Sequence, residues 1–220
     1  MSESVLIATP ARTGTPRELL MRNEALVHRF TYPAVEWRLH LNDPIVSAGK
    51  YEPNAWARNF FINRFLAEQH GYVLWLDVDV IDAPADLIER LMAVSLAHER
   101  AIVAPMVWME RVKEGAVNLE NGGWFYDTGG FVDLNGQTAD FFSGPPGADS
   151  PVALKSVGTV YLAPAELYRR GLRYRPVGNE VEHLSFCRDA AAAGTKVLAC
   201  RDISVTHAYL PKYGDVWHSS

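Results

Sequence analysis

The sequence predicts an α/β protein with a mostly parallel central sheet flanked by helices and a Gly/Pro-rich excursion around residues 109–155. Three observations predict it. Apolar runs of strand length alternate with segments of helical periodicity through the first half, as in successive βαβ units. One such run, Tyr72-Val73-Leu74-Trp75-Leu76, leads straight into Asp77-Val78-Asp79. The carboxyl end of a central strand is where open α/β sheets place their ligands. The 220 residues suffice for a full core and show no composition break, so one domain over 1–220 is expected.

Each element has a local reason. Val5-Leu6-Ile7-Ala8-Thr9 reads as a first buried strand, and Pro10 to Pro16 as a turn. Thr15 as N-cap, Pro16 at the first helical position and Glu18 as the third helical residue then open a helix reaching about Phe30. Val35 to Leu41 alternates apolar and polar residues, a second strand, and Asn42 to Tyr51 is loop. Trp56, Phe60, Phe61, Phe65 and Leu66 recur at helical spacing within Asn54 to His70, with Gly71 expected to end that helix. The aspartate strand follows, then a helix from Pro84 to His98 and a strand from Ala101 to Trp108. From Met109 to Ser150 turn signals such as Asn121-Gly122-Gly123, Gly129-Gly130 and Gly144-Pro145-Pro146-Gly147 are interleaved with aromatics. This is either a small hairpin excursion or a long loop over a site. Val157 to Leu162 returns to strand. Pro164 to Arg170 and Glu180 to Ala193 are helices closed by Gly171 and Gly194, and Lys196 to His207 holds one or two strands.

Composition narrows the function classes. A hydrophobic fraction of 48% and a charged fraction of 21% are ordinary for a globular protein. The net charge of −5 argues against nucleic-acid binding driven by phosphate neutralisation. The basic stretch Tyr168 to Arg175 could meet an anionic acceptor, but arginines at a helix end also occur without a partner. Cys187 and Cys200 give neither a disulfide framework nor a zinc spacing, so a cytoplasmic location is expected. No run reaches membrane-span length, and Met1-Ser2-Glu3-Ser4 lacks the basic start of a leader.

The aspartate pair carries the chemistry. Side chains two apart on a strand share a face, so Asp77 and Asp79 point the same way if the strand persists. Their repulsion would be relieved by a divalent cation held through oxygens, leaving room for phosphates. The alternative is that one aspartate caps the next helix and the other is solvated.

Three blocks resemble a known group. Ala57-Arg58-Asn59-Phe60-Phe61 followed by Val73-Leu74-Trp75-Leu76-Asp77-Val78-Asp79 is similar to an ARN…VLWLDxD helix–strand pair. Val157-Gly158-Thr159-Val160-Tyr161-Leu162 is similar to a GGT-hydrophobic strand, with Val157 in place of the first Gly. Asn179-Glu180-Val181-Glu182-His183, then Gly194 and His207, are similar to an E-x-E…G…H block. Together they resemble GT-A fold, nucleotide-sugar-dependent glycosyltransferases, in particular the fungal mannan-polymerase α-mannosyltransferase family and its bacterial and viral relatives. Family 2 glycosyltransferases have an analogous ED…R…G…H block. His183 stands where their Asp would be, so their catalytic base does not carry over.

The resemblance implies roles. Asp79 would ligate Mn²⁺ or Mg²⁺, Asp77 would hold the donor ribose or a metal-bound water, and His207 would be a further metal ligand. An imidazole ligand favours Mn²⁺. Thr9, Pro10 and Arg12, after the first strand, would hold the nucleotide base and ribose. Arg58 would pair with a phosphate, Gly158 would line the donor, and Lys212 with Tyr213 and Gly214 would belong to a tail closing over the diphosphate. Glu180 and Glu182 would face the acceptor, as general base in an inverting enzyme or as orienting groups in a retaining one. The fungal family is retaining. Acids in a first helical turn are also favoured by the helix dipole alone. Trp124 and Tyr126 are candidates for stacking on a sugar or base.

The implied partners are a nucleoside-diphosphate sugar (UDP- or GDP-linked) and a hydroxyl-bearing acceptor: a glycan, a protein or a modified nucleobase. Three other readings compete. A phosphatase of the haloacid-dehalogenase type also uses hydrophobic-D-x-D, but normally on its first strand. A non-catalytic nucleotide-sugar-binding module would bind donor without turnover. Nucleotidyl transfer on a similar fold would open with a longer Gly-rich basic loop than Ala11-Arg12-Thr13-Gly14-Thr15.

Overall fold

A computed structural model describes residues 3–42, 52–110, 125–127, 129–137, 150–177 and 180–208. The chain begins with β1 (Ser4–Arg12), α1 (Arg17–Val27), β2 (Val35–Asn42), α2 (Glu52–Phe65), β3 (His70–Leu76) and the short β4 (Val80–Asp82). It continues through α3 (Leu87–Ala97), β5 (Ile102–Met109), β6 (Val152–Ala153), β7 (Val160–Pro164), α4 (Ala165–Arg169), α5 (Glu182–Ala192) and β8 (Val197–His207).

The strands form one sheet in the order β2-β1-β3-β7-β5-β8-β4, with β6 on β8. Most of the paired length is parallel: β1 with β2, β1 with β3, and β5 with β8. β7 runs antiparallel between β3 and β5, and β4 runs antiparallel to β8.

Period-two alternation divides the core. Leu6, Ala8, Val73 and Trp75 join one buried cluster with Phe61 of α2, Tyr168 of α4 and Phe186 of α5. Val5, Ile7, Tyr72 and Leu74 join another with Leu26 of α1 and Leu87, Ile88 and Leu91 of α3. Both faces of these strands are therefore covered by helices, which is why their sequences read as unbroken apolar runs. Each large side chain buried in this way, such as Phe61, contributes about 1.5–3 kcal/mol.

Several expected boundaries move. Gly71 lies inside β3 and does not end α2. A Cβ there would come within 2.6 Å of the Glu3 side chain, so close approach to the N-terminal strand is the reason for glycine. Pro16 is the residue before α1, without a side-chain cap. Thr15 instead accepts a hydrogen bond from the Arg12 N–H at 3.2 Å, closing the turn. Thr9, Pro10 and Arg12 belong to β1 and do not follow it, because the strand pairs with β2 as far as Arg12 and Asn42. The segment from Lys196 is one strand, β8, whose register against β5 shifts between Pro105 and Met106. Most of the excursion lies outside the described residues. The described parts return to the sheet through Trp108–Phe125 and Val132–Ser156 bridges.

Candidate active site

The strand does not persist through the aspartates. β3 ends at Leu76, and the Val80 N–H donates to the Asp77 carbonyl at 3.0 Å, so Asp77-Val78-Asp79 forms a turn into β4. Asn23 of α1 holds this turn, its Nδ2 donating to the carbonyls of Asp77 and Val80 at 3.3 Å each. That use explains a fully buried asparagine on an otherwise apolar helix face.

Asp79 meets His207, the last residue of β8. The His207 Nε2 lies 3.1 Å from Asp79 Oδ2, and its Nδ1 lies 2.8 Å from the Ala208 carbonyl. The Ala208 N–H returns to the Asp79 carbonyl at 2.7 Å. β4 pairing with β8, Val80 opposite His207, sets this meeting. A carbonyl only accepts, so Nδ1 carries a proton and Nε2 is the nitrogen turned to the carboxylate. Burial would lower the His207 pKa, but the charge and hydrogen bond of Asp79 raise it. Burial would raise Asp79, and the His207 charge and hydrogen bond lower it. Tyr126 stacks on the His207 ring, centroids 3.7 Å apart.

This donor set fits a divalent cation. A ring nitrogen fixed by a backbone carbonyl on its other side is the usual setting of a metal-ligating histidine. A cation in place of the Nε2 proton would find an imidazole lone pair beside a carboxylate. Among the described residues no group of three or more His, Cys, Asp or Glu forms a metal cage, so those residues alone supply an incomplete shell. Such a shell suits ions that are completed by substrate phosphates.

Asp77 is bound from the other side. Arg58 of α2 donates from Nη2 to Asp77 Oδ1 at 3.4 Å and from Nε to Glu182 Oε1 at 3.0 Å. The guanidinium lies 4.8 Å from the Trp75 ring centroid and also faces Tyr161 and Tyr174. Those two tyrosine hydroxyls and that of Tyr168 bond to one another, and Trp75 Nε1 donates to Tyr168 at 2.8 Å. The cage is thus rigid, and Nη1 of Arg58 is left without a partner among the described residues. Burial pushes Asp77 up to about 7 against the pull of Arg58, with the charges of Asp79 and Glu182 adding to the rise. For Glu182 burial also raises the pKa. The contacts with His183 and Arg58 win and hold it at about 2. Of these two partners Arg58 is the close one, since His183 Nδ1 stands 3.8 Å away.

The remaining predicted residues separate. Thr9 is buried beyond the last β1–β3 pair, Ala8 with Trp75, and its hydroxyl accepts from Trp37 Nε1 at 3.1 Å. Pro10 and Arg12 continue along the same edge. Glu180 precedes α5 and turns outward to Arg188 at 3.1 Å. Lys212, Tyr213, Gly214 and Trp124 lie outside the described residues. A surface cleft of about 310 Å³ lined by Trp56, Asn59, Phe60, Asn63 and Arg64 includes none of the carboxylates above.

Gly158 brings in two residues to which sequence reasoning gave no role. A Cβ on it would come within 2.7 Å of Asp127 Oδ2 and 3.0 Å of His183 Nε2. A Cβ on Gly130 would likewise collide with the Asp127 carboxylate and the Gly158 backbone. The next residue, Thr159, has φ +30°, a strained value for a β-branched side chain. Burial raises the Asp127 pKa, and the His183 charge, a Thr159 hydrogen bond, the His207 charge and the Gly130 N–H offset only part of that. Asp127 stands before Gly129-Gly130 among many turn residues, so local pattern could not have singled it out. For His183 the signal was its place in the Glu182-His183 block.

Comparison with known proteins bears on family and fold. The Anp1 family, a mannosyltransferase family, matches residues 52–140, the span from α2 into the excursion. No curated protein matches the sequence. Among solved structures, GalNAc-T7 with UDP, GalNAc and Mn²⁺ is similar at TM-score 0.62 and 13% identity, over 94% of this chain and 44% of that one. TarS of S. aureus, residues 1–349, is similar at TM-score 0.58 and 10% identity, over 93% of this chain and 60% of that one. This chain thus spans less than two thirds of either structure. The fold is that of GT-A glycosyltransferases.

Proposed function

We propose that the chain is a single catalytic domain that moves a sugar from a nucleoside diphosphate to a hydroxyl acceptor, with a divalent cation held by Asp79 and His207. The observation that carries this is the Asp79–His207 contact at the sheet edge, fixed by the Ala208 carbonyl, with Asp77 and caged Arg58 beside it. A GT-A structure holding UDP and Mn²⁺ supports the same ligand class. The bound cation would offset the charge that develops on the departing diphosphate.

The residues divide the work. Thr9 to Arg12 edge the nucleotide side. Arg58 has one guanidinium nitrogen free for a phosphate oxygen and is held by two carboxylates and an aromatic cage. Glu182 is engaged by Arg58 and held at about 2, which makes it a poor proton acceptor and a good anchor. Glu180 is occupied by Arg188. With neither glutamate placed as a base, retention is favoured, the leaving phosphate accepting the acceptor's proton. The phosphatase alternative loses ground because the aspartates follow the third strand of the sheet.

The test is calorimetric titration with UDP, GDP and their sugars, with and without Mn²⁺. Binding of one nucleotide class that requires the metal is expected. No binding of any nucleotide would overturn the reading.

A further inference from the structure

β2 forms one edge of the sheet and, among the described residues, pairs with β1 alone. Its pairs, from Val5 with Val35 to Arg12 with Asn42, follow one another without a bulge, and no proline interrupts the strand. The Val5 N–H donates to the Ala34 carbonyl at 2.8 Å, and the Thr13 N–H to the Asn42 carbonyl at 2.9 Å. Backbone groups of successive strand residues turn to opposite sides. The even-numbered residues therefore turn theirs to β1, and Val35, Trp37, Leu39 and Leu41 turn theirs outward. Proteins commonly blunt such an edge by shortness, a bulge or a proline. β2 has none of these over its 8 residues, and its Val35 and Leu41 are 36% and 46% exposed.

Side chains divide by the same alternation. Val35, Trp37, Leu39 and Leu41 share one face, and Glu36 and Arg38 share the other. Glu36 Oε1 and Arg38 Nη2 meet at 2.7 Å on the surface. A second copy of this edge can pair with it antiparallel in registers that set outward-turned residues opposite one another. Charge selects among these registers. With Arg38 on the two-fold axis, arginine faces arginine, and with Glu36 on it, glutamate faces glutamate. Both like pairs fall at the closer, non-hydrogen-bonded positions, where they destabilise. With Trp37 on the axis, Glu36 faces the partner's Arg38 and Arg38 faces the partner's Glu36. Val35 then faces the partner's Leu39, so the apolar row also continues across the junction. The edge is complementary to itself in this register and repelled in the two beside it.

We propose that β2 joins two copies of this chain, antiparallel about a two-fold axis at Trp37, into one continuous sheet. The two candidate active sites, each beyond the carboxyl end of β3, then open on opposite edges of the joined sheet. This inference does not depend on the glycosyl-transfer reading.

The test is sedimentation equilibrium of the whole chain up to about 100 μM, where an interface of micromolar Kd is mostly filled. Wild type should show the mass of two chains. Glu36→Arg alone and Arg38→Glu alone should each show the mass of one chain. An equimolar mixture of these two variants should return to two chains, because every arginine then faces a glutamate across the axis. Val35→Pro removes an outward N–H at the exposed start of the strand, spares the pairing with β1 and should also show one chain. Circular dichroism checks that each variant is folded. Glu36→Arg takes a partner from buried His70, so if it does not fold, Arg38→Glu and Val35→Pro decide. Wild type at the mass of one chain throughout would overturn the proposal. So would a two-chain mass in Arg38→Glu or Val35→Pro, which would put the interface elsewhere. A mixture of the two folded charge variants that stays at one chain would overturn the register about Trp37.

Discussion

The structure holds two Asp–His groupings, and they are built in opposite ways. Asp79 and His207 touch at 3.1 Å, and the ring is tied at its far nitrogen to a backbone carbonyl. Asp127 and His183 come together over Gly158 with the Asp127 Oδ2 and both His183 nitrogens unpartnered among the described residues. The first pair neutralises itself, proton on the ring and charge on the carboxylate, and a cation can replace that proton. The second leaves one carboxylate oxygen and both ring nitrogens without hydrogen bonds among the described residues. Arg58 joins the two, bonding Glu182 beside His183 and Asp77 near Asp79. A closed pair and an open pair of the same residue types thus differ through what the backbone gives each one: a carbonyl in one case, a glycine floor in the other.

The largest effect is expected from breaking the closed pair. Asp79→Ala should weaken Mn²⁺-dependent nucleotide binding by at least about 100-fold, the upper end of what losing even an outer partner of a metal ligand costs. Calorimetry measures it, and circular dichroism should show the fold retained. A variant that binds nucleotide with unchanged metal dependence would remove Asp79 from the site.

Removing the link comes next. Arg58→Ala leaves Glu182 buried without its closest partner and empties the aromatic cage, so a loss of about 3–5 kcal/mol is expected in urea unfolding. A loss under 1 kcal/mol would show that the cage and the carboxylates do not depend on this cation.

Acid sharpens the comparison. Glu182 is lowered from 4.5 to about 2 because the His183 and Arg58 contacts outweigh burial. Its folded value lies below its unfolded one, so its contribution is complete above about 4.5 and lost as the pH falls toward 2. The urea midpoint of wild type should therefore converge on that of Glu182→Gln across this window. Parallel curves would mean that Glu182 carries no such linkage.

The smallest effect should come from the α1 side. Asn23→Ala removes two bonds to the aspartate turn, and about 1–2 kcal/mol of stability should go with them. Metal-dependent binding should weaken by several-fold. Unchanged stability and binding would show that the aspartate turn does not depend on Asn23.

Much of the scaffold was legible because it is local. β1, β3 and β5 are apolar on both faces, and α1, α2, α3 and α5 follow helical spacing, so each announced itself within its own window. Gly71 misled because glycine after a helical stretch reads as a stop, whereas here it clears space for Glu3. Asn23 gave no signal, since an asparagine inside a helix names its partner only when the turn beneath it is known. Asp127 was hidden among turn residues whose local chemistry accounts for an aspartate without any site.

The sequence by itself determined the alternation of strands and helices and the delivery of two aspartates to the end of a central strand, because backbone periodicity and apolar burial act over neighbouring residues. Only the tertiary structure decided which histidine meets which aspartate. β4 pairing with β8 carries His207 to Asp79, the packing of α2 near α5 carries Arg58 to Glu182 across 124 positions, and the missing side chain of Gly158 leaves room for both Asp127 and His183 beside it. Those meetings depend on sheet register and on which backbone can approach which, and neither is written in any single stretch of the chain.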